Sequence, residues 1–281
     1  MKKRVLIALF LIACLGPLLT GLVYSVLYSL GAIGWLSQGI TLTHWQHVFT
    51  APSTYVSFAF SLYVALGSVT VSFILSFGCV YLLSRPSQRA KPLAFAWFIP
   101  LGIPPIVAAF ISFLLLSGTG VLARIVWQAG VISEAHPFPS LVFDHLGIGI
   151  IITHIMISFP FFTLLQLQHY EKNQLAELMG LARHYGANRR QQIRDVMLPV
   201  LFRRSFPVLL LSVIFVMGSY EIPLTIGSQY PQMISPLIID YVRRFDLQDK
   251  PIGYALSVVY TLVVLVLAFF LLRKQTLRYG K

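Results

Sequence analysis

The sequence predicts an all-α membrane protein of about six transmembrane helices. Three observations carry this. The 281-residue chain is 57% hydrophobic and only 11% charged, whereas a water-facing globular surface needs roughly 25% charged residues. Apolar runs long enough to cross a bilayer, about 20 residues each, recur along the chain. Basic residues, which bring the net charge to +12, collect between those runs rather than within them.

The spans read at about 5–30, 57–83, 93–117, 146–168, 206–227 and 253–272. The first follows Met1-Lys2-Lys3-Arg4, a start that also fits a secretory signal, and Leu11-Ile12-Ala13-Cys14 has the form of a lipoprotein cleavage box. The apolar stretch runs on to Leu30, too long for a signal core, so an uncleaved first helix is expected. In the second span Gly67, Gly78, Ser68, Ser72 and Ser76 suit close helix packing. In the third, Pro100, Pro104 and Pro105 are expected to kink the helix and free backbone acceptors; plain bending for packing is an equal reading.

The fourth span carries a polar patch of Thr153, His154 and Ser158, in which the histidine reads as a helix–helix hydrogen-bond partner. The fifth contains Gly218-Ser219-Tyr220-Glu221-Ile222-Pro223, and Glu221 is the only acidic residue expected inside a span. A charge there costs about 2.5–3.5 kcal/mol, so it should face protein or water. Ser219, Tyr220, Glu221 and Pro223, with Pro104, Pro105 and Pro160, are therefore the candidates for a pathway or gate. A glutamate paired within the bundle, or one near the outer interface, is the competing reading.

The connections 31–56, 118–145 and 228–252 are modest loops, and the last holds a charged cluster of Asp240, Arg243, Arg244, Asp246, Asp249 and Lys250. Residues 1–281 thus read as one transmembrane domain: 1–56 the first helix and outer loop, 57–272 a helical core, and 169–205 a polar loop inserted in it. Cys14 and Cys79 lie in apolar segments, and neither a disulfide framework nor a metal site follows from them.

Orientation follows from the distribution of Lys and Arg. With the N-terminus inside, the inner segments hold Lys2, Lys3 and Arg4; Arg85, Arg89 and Lys91; Lys172, Arg183, Arg189, Arg190, Arg194, Arg203 and Arg204; and Arg273, Lys274, Arg278 and Lys281. That is 17 basic residues, against 4 outside (Arg124, Arg243, Arg244 and Lys250). Both termini and the 169–205 loop are expected in the cytoplasm. This topology accounts for the basic balance without nucleic acid.

Residues 171–199 read as helix, turn, helix. Leu175, Leu178, Met179 and Ala182 recur at i, i+3, i+4 and i+7 and form one apolar stripe. Gly186 supplies a left-handed turn, Asn188 an N-cap, and Gln191 the partner in a capping box. Leu198-Pro199 is expected to break the second helix. By pattern alone, such a hairpin fits docking into a partner's groove and fits lying on lipid headgroups equally well.

Gly186-Ala187-Asn188, followed by Val196, Leu198 and Pro199, resembles the second half of the cytoplasmic signature of binding-protein-dependent ABC importer permeases, the type I importer transmembrane domain. The first half departs from it: Gly180-Leu181-Ala182 stands where Glu-Ala-Ala is usual, so the acidic contact is missing. Thr41-Leu42-Thr43-His44-Trp45, the prolines at 100, 104 and 105, and Ser158-Phe159-Pro160 resemble further family features in the same order. The 218–223 segment is similar to the fifth helix of the polyamine-type and iron-type branches.

The resemblance implies a bacterial inner-membrane permease subunit that works by alternating access on a polyamine-like, iron or other small solute. Its partners would be ABC ATPase subunits, a second permease subunit (the same chain or another), an extracytoplasmic solute-binding protein and membrane lipid. The charged 228–252 segment could meet the binding protein or simply be solvated. Residues 180–187, namely Gly180, Leu181, Ala182, Arg183, His184, Tyr185, Gly186 and Ala187, would make the coupling contact, with Leu181 to Ala187 forming the coupling helix. The chain contains no G-x-x-x-x-G-K-[ST] motif, so ATP and Mg would belong to the partner ATPase, and this chain is expected to be neither an enzyme nor a cofactor holder. A stand-alone secondary transporter or channel would need coupling carboxylates or a selectivity ring, for which one intramembrane glutamate is thin support. A membrane enzyme would need paired acids, a nucleophile motif or a His-rich cluster, and none is present.

Overall fold

A computed structural model describes residues 2–34, 39–83, 99–131 and 138–279. Arg85, Arg89, Lys91, Lys281 and residues 93–98 of the expected third span lie outside them. The described residues form helices α1 (Lys2–Ser29), α2 (Thr43–Thr50), α3 (Pro52–Leu83), α4 (Pro105–Leu116), α5 (Val121–Gln128), α6 (Ile148–Lys172), α7 (Leu175–His184), α8 (Arg189–Met217), α9 (Glu221–Ile226), α10 (Ile234–Arg243) and α11 (Lys250–Tyr279). No strand occurs among them. Six stretches are long and apolar enough to span a bilayer: Leu9–Ser29, Pro52–Leu83, Pro105–Gln128, Ile148–Lys172, Arg189–Met217 and Lys250–Phe269.

The chain divides into two compact units, Met1–Phe58 with Met233–Lys281, and Ala59–Gln232. In the first, α2, α10 and α11 enclose Val48, Ile234, Leu237, Tyr241, Ile252, Ala255 and Leu256, with Trp45 and Phe58 packed against them. Helix α1 meets α11 through Tyr28 and Tyr254, ring centroids 4.4 Å apart. The indole N–H of Trp45 donates to Ser29 Oγ at 3.2 Å and fixes the lead-in helix to the end of α1. The expected charged loop is largely helical. Arg244 closes α10 by pairing with Asp249 at 2.9 Å and Asp240 at 3.7 Å, and its guanidinium lies 4.2 Å from the Tyr241 ring centroid. The hydrogen bond that its guanidinium donates to Asp249 raises the Arg244 pKa.

In the second unit α3 presents Ser68, Ser72 and Ser76, all fully buried, at i, i+4 and i+8. These small side chains let neighbours approach closely. Gln166 of α6 donates to the Phe73 carbonyl at 3.2 Å and to Ser76 Oγ. Phe73 packs edge-on against Phe162 and Phe202. A Cβ on Gly67 would sit 3.6 Å from Ile151, in ordinary contact, whereas one on Gly78 would meet nothing within 4 Å among the described residues. His154 is buried, but its Nε2 has no hydrogen-bond partner among the described residues, so that atom does not make the expected interhelical bond.

Three expectations change. Pro104 and Pro105 do not kink the third span. They open it, as the N-cap and first residue of α4 after a 3-10 turn at Ile99–Gly102, where a missing N–H costs nothing. Leu198-Pro199 does not break the second helix of the hairpin. Residues Gln192–Met197 form a π-helical turn, with Leu198 N–H bonded to Ile193 O, and the α-helix continues from Leu198 to Met217. Bonding five residues back lets the helix pass a proline that has no donor of its own. The fifth span therefore begins at Arg189 and ends at Met217, and Glu221 lies beyond it, exposed, at the start of the separate short helix α9.

The α7–α8 hairpin is joined to the spans by a second core, Val80 of α3, Leu175 of α7, and Met197 and Leu201 of α8, in which all four side chains are fully buried. Leu175→Ala is expected to cost about 2–4 kcal/mol by leaving a cavity there. The thermal unfolding midpoint of the detergent-purified chain should fall accordingly.

Candidate functional site

The candidate site is the hairpin α7–α8. Leu175 is fully buried and Met179 and Ala182 are half-buried, so the predicted stripe faces the protein at three of its four positions. Leu178 is the exception at 41% exposure, and it joins Leu181 at 55% and Tyr185 at 91% on an uncovered apolar face. The helix itself is Leu175–His184, so Leu181 to Ala187 is its last turn and cap rather than a helix of its own. Val196 is half-buried in the π-helical turn, and Leu198 and Pro199 are exposed at the start of the α-helical part of α8.

The turn has a definite mechanism. Ala187 N–H bonds to Ala182 O and Gly186 N–H to Arg183 O, both at 3.0 Å, while Gly186 has φ +84°. This is a Schellman closure, which requires a residue in the left-handed region. Asn188 Oδ1 then accepts from Gln191 N–H at 3.0 Å, and Gln191 Oε1 accepts from Asn188 N–H at 2.8 Å. The capping box starts α8 two residues after the glycine. Between a closed α7 and a capped α8, no slack chain remains in the turn.

Beside the turn lies a pocket of about 690 Å³, lined by Tyr81, Tyr170, Met179, Gly180, Arg183, Asn188 and Arg189 among others. The Arg189 guanidinium stands 5.3 Å from the Tyr81 ring centroid, within cation–π range. A second pocket, of about 280 Å³, belongs to the first unit and is lined by Tyr28, Thr41, Thr43, His44 and Gln248 among others. His44 there has its pKa lowered, by burial first and by His47 second.

The gate candidates gather in the second unit, where α9 packs on α4 and α6, and α4 on α6. These three helices carry Glu221 and Pro223, Pro104 and Pro105, and Pro160. Pro160 and Pro223 are buried, Glu221 and Pro104 exposed, and Ser219 and Tyr220 half-buried in the break between α8 and α9. The loop before α6 is fixed to this group: Phe143 N–H bonds to Ile226 O at 2.9 Å, and His145 Nδ1 donates to Tyr230 O at 2.8 Å. Asp144, which the sequence reading passed over, caps α6 by accepting from Ile148 and Gly149 N–H at 2.8 and 3.3 Å. The residue immediately before the helix is Gly147, so the usual N-cap position gave no sign of Asp144. At Gly149 a Cβ would collide with the Leu141 carbonyl, so only glycine fits. Among the described residues no group of His, Cys, Asp or Glu could hold a metal.

The family model described as "Binding-protein-dependent transport system inner membrane component" matches residues 75–278. No curated relative matches the chain in sequence. Among solved structures, a chain of a bacterial ABC transporter involved in the import of the acidic polysaccharide alginate is 17% identical, with TM-score 0.74, over 100% of this chain and 98% of that one. A chain of a bacterial alginate ABC transporter in complex with an alginate pentasaccharide-bound periplasmic protein is 16% identical, with TM-score 0.71, over 96% and 91%. At these identities the likeness shows the shared fold.

Gly186→Val is expected to strain the turn by about 1–2 kcal/mol, because a side chain disfavours the left-handed conformation. Limited trypsin digestion of the detergent-purified variant at Arg183 and Arg189 should be faster than in the parent chain.

Proposed function

This chain belongs to the family of binding-protein-dependent transport system inner membrane components and is the permease subunit of an ABC importer, and we propose that the exposed face of α7 is the handle gripped by a separate ATPase subunit. One observation carries the reading. Leu178, Leu181 and Tyr185 are uncovered on a helix whose other side is locked, through Leu175 and the Schellman turn, to α3 and α8. A contact on that face would be passed through the capping box and π-helical turn into the fifth span without a flexible joint to absorb it.

In this reading residues 1–281 act as one permease domain with both ends in the cytoplasm, paired with a second permease subunit. ATP binding by the motor shifts the population between inward-open and outward-open packings, and an extracytoplasmic binding protein biases the same equilibrium from outside. ATP and Mg reside in the motor. The solute passes the α4–α6–α9 group, where Ser219, Tyr220 and Glu221 sit at a break in helical bonding. The exposure of Glu221 fits a carboxylate that meets water in the pathway, without the insertion penalty of a span interior.

Cysteine at Leu181 or Tyr185 should crosslink to the co-expressed ATPase subunit in native membranes. Labelling of these positions only from the outer side would overturn the assignment. Glu221→Gln should change the uptake rate while leaving subunit assembly intact; unchanged kinetics would remove Glu221 from the pathway.

A further inference from the structure

Helix α6 runs towards the α7–α8 hairpin, α8 runs away from it, and the two pack on each other. Each carries an exposed face that ends in a cation at the hairpin end. On α6, Phe161 and Lys172 are eleven residues apart, so they share one face, and both are exposed. On α8, Arg204, Leu211 and Phe215 recur at i, i+7 and i+11, and all three are exposed. The charges of Arg204 and Lys172 both act on the ring of His169, which precedes Lys172 by one turn of α6. The two cations therefore lie beside the same imidazole.

No anion answers this charge among the described residues. Neither Lys172 nor Arg204 forms an ion pair there, and the buried Nε2 of His169 has no hydrogen-bond partner. Glu171 is next to Lys172 in sequence, but at 3.6 residues per turn it leaves the helix about 100° away. The apolar positions have a definite depth. At 1.5 Å per residue, Phe161 and Phe215 each lie about 17 Å along the helix from the cation on their own face, and Leu211 about 10 Å. One leaflet of hydrocarbon is about 15 Å deep, half of a core about 30 Å thick.

We infer that α6 and α8 together hold a phospholipid of net negative charge, its phosphate at Lys172 and Arg204 and an acyl chain along Phe161, Leu211 and Phe215. Charge and depth select this occupant together. A phosphate diester takes charge-assisted hydrogen bonds from the Arg204 guanidinium and a point charge from Lys172. A basic pair between transmembrane helices at the membrane surface is the chemistry that recognises such a headgroup. A soluble anion would answer the cations and leave the apolar rows untouched. A second copy of this chain, related by a two-fold axis along the membrane normal, would cover the rows but bring the same two cations to the same depth. The inference does not depend on how α7 docks; it needs only that these helices cross the bilayer.

The test uses the full-length permease co-expressed with its ATPase subunit and purified in detergent, with the retained phospholipid measured by mass spectrometry. Phospholipid of net negative charge should be enriched over its share of the source membrane. The double variant Lys172→Gln, Arg204→Gln should lower its amount about tenfold. Added phosphatidylglycerol should raise the thermal unfolding midpoint of the parent complex and leave that of the double variant where it is; phosphatidylcholine should move neither. Arg203→Gln, about 100° from Arg204 around α8, should behave as the parent does. Lys172→Arg, Arg204→Lys, which keeps both charges, should retain the lipid, and its loss there would overturn the inference. So would a Gln double variant that keeps the lipid, or an equal loss in Arg203→Gln, which would mean diffuse surface charge. Inorganic phosphate that raises the midpoint as far as phosphatidylglycerol does would assign the cations to a soluble anion. Release of the ATPase with the lipid retained would assign them to a protein contact. Either result sinks the lipid site.

Discussion

Four fully buried side chains, Val80, Leu175, Met197 and Leu201, tie the polar hairpin to the ends of the membrane helices. They come from α3 and, far along the chain, from the adjoining helices α7 and α8, and they pack where apolar span gives way to basic surface. Were this junction loose, α7 would be an amphipathic helix floating beside the spans. Because it is filled, a displacement of α7 must displace α3 and α8 as well. Packed interiors resist continuous deformation, which makes such a junction suited to switching between discrete arrangements.

The π-helical turn at Gln192–Met197 completes that connection. Pro199 removes a donor just where the helix leaves the hairpin. A simple break there would have separated hairpin from span. Re-registering the hydrogen bonds by one residue keeps the rod continuous and sets the orientation of Met197 and Leu201 towards Leu175. In the proposed mechanism this continuity is what lets a motor outside the membrane act on helices inside it. The other end of α8 differs: the helix ends at Met217 and a separate one starts at Glu221, with α9 held against α4 and α6.

The surface fits the same division. Large apolar side chains remain exposed along the spans, among them Leu62, Leu66, Phe110, Leu114, Leu211 and Phe215. On a water-soluble domain so much exposed apolar area would be an aggregation hazard; in a bilayer it is the solvent-facing surface. Leu178, Leu181 and Tyr185 are different, since they lie on a basic segment outside the six spans. In the proposed function they are the surface that the ATPase subunit grips.

What the sequence determined by itself was whatever depends on composition or on a few neighbouring residues. Membrane character follows from too few charges to coat a wet surface. The Gly186 turn and the Asn188–Gln191 box follow from local backbone chemistry, and both stand where the spacing placed them. Tertiary structure decided the rest. A proline signals a missing donor, but not whether the chain breaks, as expected at Pro199, or shifts to π bonding once Met197 is buried. Prolines 104 and 105 read as a kink or as a start depending on where the preceding chain turns. Hydropathy carried the fifth span through Glu221 because Ile222, Pro223 and Leu224 are apolar. Only packing of α9 on its neighbours shows that Ile222 and Pro223 bury themselves in protein while Glu221 and Leu224 stay outside. Leu178 matched the helical period of the stripe, yet its exposure depends on which neighbours are in place, and that is a property of the assembled fold and not of the pattern.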